Sequence, residues 1–454
     1  MITGKKIAIV GFGIEGVSCA NYLGTRNRIF IIDQKPKNQI ETDLWKKLKV
    51  GYIKFFFRDG VPKGFDVDLI VRSPGVRPDS TVIKKLLGKK TKVTTPTNIF
   101  FNECSCPIIG VTGTKGKGTT ATLIYKILKE KFKDVFLAGN IGTPALDVIS
   151  KIKKDAIAVL ELSSFQLVDL EKSPHVAVIL MVTSEHLDWH NNQDEYVDAK
   201  KPIVSSQTRN DFAVVNADFA NSKEVVRNIK SKIYYFSMKK KTNGVYLKNR
   251  KIVSAIEKLE EICDVSKISL VGKHNIENVL AAVCVAKIYS VKNEDIVGVL
   301  TKFKGLEHRL QLIGEKSQIQ FYNDSFSTTP ETTIAAIDSF TERKILVLGG
   351  SSKNSDFSKL AKKIVHNMSI AALILIGREA ERIETSIKNN GGFRGPVYKG
   401  AKNIKEIVNC AYEIAKPGEI VLFSPACASF DMFKNYKDRG EQFIKEVRSL
   451  RSMI

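Results

Sequence analysis

The sequence predicts an α/β protein, because short apolar runs typical of buried strands alternate with glycine-rich loops and helical patterns. At residues 6–16 the run Lys-Ile-Ala-Ile-Val leads into Gly-Phe-Gly-Ile-Glu-Gly. At residues 107–128 an apolar run, a glycine loop and an amphipathic helical pattern follow one another in the same order. Further strands with a polar or glycine-rich loop behind them are predicted at residues 344–348, 372–376 and 420–423. The repeated order of strand, loop and helix is typical of parallel sheets wound with helices.

The length of 454 residues exceeds what one hydrophobic core supports and suits about three domains. The first boundary is expected in the irregular segment ahead of Cys104, and the second ahead of Gly305-Leu-Glu-His-Arg. We therefore predict a Rossmann-like domain over residues 1–102, a P-loop ATPase domain over 103–304 and a second Rossmann-like domain over 305–454.

The first domain carries a dinucleotide-type fingerprint. Glycines at 11, 13 and 16 follow the first strand, and Asp33 ends a second strand predicted at residues 29–32. Such glycines let a diphosphate approach a helix N-terminus, and the acid binds a ribose or a neighbouring donor. Gly75, after a strand at residues 68–71, falls at the same edge of the sheet. The pattern is compatible with NAD, with another nucleoside diphosphate or with no ligand.

Residues 110–120 read Gly-Val-Thr-Gly-Thr-Lys-Gly-Lys-Gly-Thr-Thr and predict an ATP site. Backbone N–H groups of such a loop surround a phosphate at the positive end of a helix dipole, and Lys117 adds a full charge. The residue after the lysine is Gly118 instead of the Ser or Thr whose hydroxyl holds Mg²⁺. Thr119 or a water must then take that part. A glycine-rich turn without a ligand is the alternative.

Three polar clusters follow apolar runs behind this loop, and they hold Asn140, Glu161 with Ser163, and His186. Strands of a parallel sheet end at one edge, so we expect these side chains close to the P-loop. Just beyond them, residues 196–200 (Tyr-Val-Asp-Ala-Lys) predict a helix start that carries Lys200. Taken singly, the Glu could be solvated, the His structural and the lysine plain surface. Further on, residues 235–252 predict a basic hairpin that turns at Thr242-Asn-Gly.

The net charge of +23 and pI of about 9.5 would suit nucleic acid or a membrane surface. The lysines are scattered, however, and the longest basic block is the run at residues 239–241. We expect a solvated basic surface, no nucleic-acid partner, no membrane insertion and a monomeric chain. Seven dispersed cysteines without metal-ligand spacing predict free thiols in a reducing cytoplasm.

From Gly11 to Gly440 the chain resembles the Mur ligases, the ATP-dependent amide ligases of peptidoglycan precursor synthesis. The run Ser-Pro-Ala-Cys-Ala-Ser-Phe-Asp-Met-Phe at residues 424–433 resembles a segment characteristic of the family branch that adds D-glutamate. The resemblance implies that ATP activates UDP-N-acetylmuramoyl-L-alanine as an acyl phosphate, which the amine of D-glutamate then attacks. It also implies Mg²⁺ and a cytoplasmic location.

The resemblance also assigns residues to ligands. For the UDP-sugar it implies Gly13, Ile14, Glu15, Asp33, Gly75, Asn140 and Ser163. For ATP it implies Gly113, Thr114, Lys115, Gly116, Lys117, Gly118, Thr119, Asn275, Asn278, Arg309 and Asp324. For metal it implies Glu161, His186 and a carbamylated Lys200, with Thr119 as a further candidate. The implied catalytic residues are Lys117, Glu161, His186 and Lys200. For D-glutamate it implies Lys353, Ser429 and Phe430.

One position departs from the family pattern, since Phe326 stands where better-known members have a lysine. Any charge contact of that lysine to substrate is therefore absent. Asn275 also has a simpler interpretation as a helix cap.

Three alternatives remain open. Another Mur-type or folylpolyglutamate-type ligase would share the core and differ in its acceptor. An NAD-dependent oxidoreductase would explain the first glycine loop but not the P-loop. A basic nucleic-acid-binding ATPase would explain the charge, yet the sequence contains no recognisable nucleic-acid module.

Overall fold

In a computed structural model, the chain forms three sheets and divides into two units. The structure describes residues 2–58, 60–62, 64–183, 189–190, 192–351 and 355–450. The first unit comprises Met1–Lys267 and Ile276–Leu300, and the second comprises Ile268–Asn275 and Thr301–Ile454. The predicted α/β fold class is confirmed, whereas the predicted domain boundaries stay predictions.

The first sheet is parallel, with the strand order β3-β2-β1-β4-β5. This is the order of a Rossmann-like domain, whose switch point lies between β1 and β4. Its strands are β1 (Lys6–Val10), β2 (Arg28–Asp33), β3 (Ile53–Phe57), β4 (Leu69–Arg72) and β5 (Lys92–Thr94). Its helices are α1 (Ile14–Leu23), α2 (Thr42–Lys47), α3 (Thr81–Leu86) and α4 (Pro96–Glu103).

The second sheet has the order β14-β13-β12-β11-β10-β9-β6-β8-β7 and is parallel from β7 to β12 across the sheet. Its strands are β6 (Ile108–Thr112), β7 (Val135–Gly139), β8 (Ile157–Glu161), β9 (Val176–Ile179), β10 (Phe212–Asn216), β11 (Lys232–Ser237), β12 (Val245–Lys248), β13 (Lys251–Ser254) and β14 (Glu260–Asp264). The helices of this region are α5 (Lys117–Lys129), α6 (Ala145–Val148), α7 (Ser164–Leu167), α8 (Gln193–Asp198), α9 (Pro202–Ser205), α10 (Ala220–Val225), α11 (Lys273–Ile288) and α12 (Asn293–Lys302). Every residue of β6, β8 and β9 is buried, as expected of central parallel strands.

The prediction of a hairpin at residues 235–252 is wrong about the position of the turn. β11 and β12 run parallel, and the antiparallel pair is β12 with β13, which turns at Asn249 and Arg250. Both turn residues have positive φ, 48° and 63°, as a type I′ turn requires. Asn243 instead donates its side-chain amide to the Ile233 carbonyl of β11. The Asn-Gly pair therefore lies at the end of the connection that joins the parallel strands β11 and β12.

The third sheet, in the second unit, has the order β15-β16-β20-β17-β18-β19 and is parallel except for β15 against β16. Its strands are β15 (Gln311–Lys316), β16 (Ile319–Asn323), β17 (Lys344–Gly349), β18 (Ile370–Ile376), β19 (Val397–Lys399) and β20 (Ile420–Phe423). Its helices are α13 (Pro330–Asp338), α14 (Ser358–Val365), α15 (Ala380–Asn389), α16 (Ile404–Ile414) and α17 (Tyr436–Ser449). Helices pack against both faces of this sheet, and each face has its own hydrophobic cluster.

In the first unit a single hydrophobic cluster runs from the α1 side of the first sheet into the second sheet. An ion pair joins the same two regions, with the Nε of the fully buried Arg72 2.7 Å from Oδ2 of the partly exposed Asp169. Among the described residues, no helix combines the length and apolar character that crossing a bilayer demands. All seven cysteines are free in the structure.

Candidate active site

The predicted phosphate loop connects β6 to α5, and its backbone has the conformation that an anion cradle needs. Gly116 is the N-cap of α5 with φ +87°, and Gly113 has φ +152°. A Cβ on Gly113 would lie 2.7 Å from the Leu180 Cβ, and one on Gly116 would lie 2.1 Å from Asn278 Oδ1. Both positions therefore require glycine for space as well as for conformation.

Lys117 folds back over this loop. Its Nζ donates to the Gly113 and Thr114 carbonyls at 3.0 Å each. The ammonium is thus held directly above the backbone that would surround a phosphate. Gly118 and Thr119 are buried in the first turn of α5, and Lys115 is exposed.

Thr114 connects the loop to two residues that follow β9 and to one residue within α8. Its N–H donates to the Met181 carbonyl at 2.7 Å, and its Oγ1 accepts from the Thr183 N–H at 2.9 Å. The Tyr196 hydroxyl also donates to Thr114 Oγ1, at 3.2 Å. Lys200 is 1% exposed, and its Nζ lies 4.1 Å from the Tyr196 ring centroid. The structure thus brings Lys200 to the P-loop through Tyr196.

Tyr196 is a site residue that sequence reasoning missed. It is 1% exposed although it carries a hydroxyl. The available signal was its position four residues before Lys200, the spacing of one helical turn, although Lys200 itself lies in the turn between α8 and α9.

Glu161 ends β8 directly beside the P-loop strand, since it pairs with Val111 of β6 and with Gly139 of β7. It is 7% exposed, and its Oε1 accepts from Asn140 Nδ2 at 2.8 Å. Asn140, predicted to contact the sugar-peptide end, therefore also orients this carboxylate. One carboxylate and the buried Thr119 hydroxyl are hard oxygen donors of the kind that Mg²⁺ prefers.

The donor set fits Mg²⁺ in chemical type. Lys200 adds to it only as a carbamate, because an ammonium group repels the ion. His186 lies outside the described residues. Within the described residues, no group of three or more His, Cys, Asp or Glu side chains forms a metal-binding cluster.

Asp33 organises the first glycine loop. Its Oδ2 accepts from the Phe12 N–H at 2.7 Å, and its Oδ1 accepts from the Lys35 N–H at 2.8 Å. Gly11 has φ +103°, and Ser73 Oγ donates to its carbonyl at 2.9 Å. A cavity of about 330 Å³ opens here, lined among others by Gly11, Asp33, Gly75, Arg77 and Ser80. Its volume suits a small organic ligand, and it lies at the switch point of the sheet.

Glu15, Gln166 and Ser163 connect the first sheet region to the second. Ser163 is the N-cap of α7 in a capping box with Gln166, and Gln166 Nε2 donates to Glu15 Oε1 at 3.3 Å. Burial, together with the nearby Asp147 carboxylate, raises the pKa of Glu15 to about 7. Gly13 is the N-cap of α1, and the Ile14 side chain is 43% exposed. The predicted UDP-sugar residues therefore lie at the ends of five strands, β1, β2, β4, β7 and β8, all within one unit.

In the second unit, Asp324 follows β16 and is 2% exposed. Its Oδ1 accepts from the Leu310 N–H at 3.1 Å, and its Oδ2 accepts from Ser424 Oγ at 2.7 Å and Ser327 Oγ at 2.5 Å. Burial raises the pKa of Asp324 to about 6 although these hydrogen bonds oppose the shift. The carboxylate thus fixes the segment that bears Arg309.

The Arg309 guanidinium lies over the Phe326 ring, with its Cζ 5.5 Å from the centroid. The family-departing phenylalanine is therefore in contact with a predicted ATP residue. Asn275, also predicted for ATP, donates its side-chain amide to the Val271 carbonyl at 2.7 Å near the start of α11. Asn278 lies on the same helix and accepts from Thr120 Oγ1 at 3.2 Å.

Two of the three predicted D-glutamate residues, Ser429 and Phe430, lie in the loop after β20. Ser429 is 2% exposed and Phe430 is 72% exposed. The Phe430 N–H donates to Ser351 Oγ at 3.1 Å, which brings the loops after β17 and β20 together. Lys353 lies outside the described residues.

Comparison with known proteins adds three family matches. Residues 5–95 match the Mur ligase MurD-like N-terminal domain, residues 111–286 the Mur ligase middle domain, and residues 308–427 the Mur ligase glutamate ligase domain.

Two curated relatives are each a UDP-N-acetylmuramoylalanine–D-glutamate ligase. That of Clostridioides difficile (strain 630) is 36% identical over 99% of this chain and 100% of its own. That of Acetivibrio thermocellus is 38% identical over 99% and 97%. Solved structures share the fold, including UDP-N-acetylmuramate-alanine ligase MurC from Thermotoga maritima (TM-score 0.61, 18% identity, 98% and 99% covered). A MurF ligase from the same organism, in complex with ADP, gives a TM-score of 0.58 at 19% identity, with 93% and 96% covered.

Proposed function

The chain belongs to the Mur ligase family, and on that premise we propose that it joins D-glutamate to UDP-N-acetylmuramoyl-L-alanine with conversion of ATP to ADP and phosphate. Relatives of that activity are 36% and 38% identical over almost the whole chain. The structural observation that carries the proposal is the adjacency of the P-loop on β6 and the Glu161 carboxylate on β8.

In the first step the alanyl carboxylate attacks the γ-phosphorus of ATP, so that an acyl phosphate forms and ADP leaves. Lys117 turns from the Gly113 and Thr114 carbonyls to the phosphate oxygens and offsets the charge that develops there. The loop N–H groups and the N-terminus of α5 hold the other phosphates. Arg309 and Asp324 are proposed as further ATP contacts.

In the second step the D-glutamate amine attacks the activated carbonyl, loses a proton and displaces phosphate as the amide forms. Ser429, the Phe430 N–H and Lys353 are proposed to hold the two carboxylates of the amino acid, because a hydroxyl, an amide N–H and a cation are suitable donors. Gly13, Ile14, Glu15, Asp33, Gly75, Asn140 and Ser163 are proposed for the UDP-sugar.

Glu161, Thr119, His186 and carbamylated Lys200 are proposed to hold Mg²⁺. The ion would neutralise charge on the transferring phosphoryl group. For carbamylation the Lys200 ammonium first loses a proton, and the neutral amine then adds to carbon dioxide and releases a second proton. An anionic carbamate thereby replaces a buried cation. We also propose that the protein acts as a monomer in the cytoplasm, and its seven free thiols are compatible with a reducing compartment.

The test is ADP release with UDP-N-acetylmuramoyl-L-alanine, comparing D-glutamate with L-glutamate. We expect release only with the D enantiomer. Release with other amino acids would favour another Mur-type or folylpolyglutamate-type ligase, and a nicotinamide absorbance change would favour an oxidoreductase. Lys117→Ala should abolish release while the protein stays folded. The matched control is Lys129→Ala, which removes an exposed charge from the far end of the same helix and should leave release unchanged.

A further inference from the structure

Arg439 lies in the first turn of α17 with its side chain fully buried at 1% exposure. Its guanidinium makes two contacts with Ser325, from Nε to Oγ at 2.9 Å and from Nη2 to the carbonyl at 2.8 Å. It also donates to the Cys427 carbonyl from Nη1 and Nη2, both at 3.1 Å, and to the Ala428 carbonyl at 3.3 Å. One side chain therefore joins the loop after β16 to the loop after β20.

Burial lowers the pKa of Arg439 to about 10, so the side chain remains a cation at neutral pH. Burying a cation among neutral carbonyls is costly unless its donors are satisfied. The nearby carboxylates of Asp431 and Asp324 favour the charged form. A planar fork with five fixed N–H donors reaches three carbonyls and the Ser325 hydroxyl through five contacts, whereas an ammonium has only three donors.

The loop that Arg439 holds has a strained backbone. Ala426 has φ +61°, in the left-handed region that favours glycine. Cys427 and Ala428 come directly after it, and Ser429 and Phe430 follow them. Fixing the carbonyls of Cys427 and Ala428 therefore sets the direction in which the Ser429 hydroxyl and the Phe430 N–H point.

The next residue on α17 makes a second contact. A Cβ on Gly440 would lie 2.2 Å from His308 Nδ1, so only glycine admits the ring there. Asn323 Nδ2 donates to the Gly440 carbonyl at 3.1 Å and lies 3.1 Å from His308 Nδ1. The start of α17 is thus fixed independently against β16, which makes it a firm base for the guanidinium.

We propose that Arg439 is a positioning residue for the amino-acid acceptor, since it holds the loop of Ser429 and Phe430 in the geometry that binds D-glutamate. The choice of D-glutamate rests on the proposed function. Arg439 touches no reacting atom and acts only through the loop. Asp324 is less dependent on it, because Leu310, Ser327 and Ser424 already donate to that carboxylate.

The test compares Arg439→Lys and Arg439→Gln with the wild type. We expect the KM for D-glutamate to rise about tenfold or more, since small misplacements of binding groups are costly. The KM for the UDP-sugar should change less than about twofold, because its proposed residues lie on other elements. Arg448→Lys makes the same exchange at an exposed position of the same helix and is the control for α17.

Thermal unfolding of each variant separates positioning from stability. A folded variant with an unchanged KM for D-glutamate would overturn the proposal, and so would a parallel rise of all three substrate KM values. Failure of both variants to fold would show a structural residue and would equally overturn it. If the wild type released no ADP in response to D-glutamate, the proposed function itself would fail, which is a different result.

Discussion

Gly116→Ala tests whether the P-loop is shaped by a residue far away in sequence. Gly116 has φ +87°, and the new Cβ would lie 2.1 Å from Asn278 Oδ1. That oxygen accepts a hydrogen bond from the buried Thr120 hydroxyl at 3.2 Å. The alanine therefore meets two obstacles, a left-handed backbone and an amide that has to move away from its partner.

The two costs can be separated with Gly142→Ala. Gly142 has φ +81° and nothing within 4 Å of its added Cβ, so this variant carries only the backbone cost of roughly 1–2 kcal/mol. Gly116→Ala adds the loss of a buried hydrogen bond, about 1–3 kcal/mol. At about 1–2 °C per kcal/mol for a unit of this size, its unfolding midpoint should lie about 1–6 °C below that of the control.

Thermal unfolding measures the difference, and it is repeated with ATP present. Gly116→Ala should also lose most of the stabilisation that ATP gives, because the N-cap N–H belongs to the phosphate cradle. Equal midpoints for the two variants, with equal ATP effects, would refute the argument. Asn278 would then have no part in shaping the loop.

Three further predictions follow from single groups. Because the pKa of Glu15 rises from 4.5 to about 7 on folding, stability should fall as pH rises across that window, and Glu15→Gln should flatten the profile of unfolding midpoint against pH. A hydrogen bond with the Cys106 thiol lowers the pKa of Cys104, so iodoacetamide should alkylate Cys104 at lower pH than an ordinary thiol, and Cys106→Ala should move the midpoint upward. Lys200→Ala should lose turnover, and added short carboxylic acids should restore part of it. The carbamate would be contradicted if bicarbonate-free buffer left the activity of the wild type unchanged and these acids restored no activity to Lys200→Ala.

Much of the fold could be predicted from local pattern. The predicted strands at residues 6–10 and 420–423 coincide with β1 and β20. Such strands are continuous apolar runs bounded by polar or glycine residues, so their ends are visible in the sequence. The turn at residues 242–244 was misassigned because Asn-Gly is a strong hairpin signal, whereas pairing in the sheet depends on partners far away.

The site could be predicted only where a motif fixes both sequence and backbone, as in the P-loop. Tyr196 acts through a hydrogen bond to Thr114, which lies 82 positions earlier in the sequence. Arg439 acts through a hydrogen bond to Ser325, which lies 114 positions earlier. No periodicity carries such information, since a buried tyrosine or arginine reads as an ordinary helix residue. The burial of a cationic side chain becomes informative only when its acceptors are known.

The contacts of Lys117 explain how a glycine loop keeps its shape around a flexible cation. Its ammonium donates to two carbonyls of the same loop, and Thr114 fixes that backbone through Met181 and Thr183. A phosphate must compete with these carbonyls for the ammonium. We expect the phosphate to win this competition, because it carries negative charge whereas the carbonyls are neutral. Only a side chain then has to reorient on binding, while the cradle of N–H groups stays where the sheet and Asn278 place it.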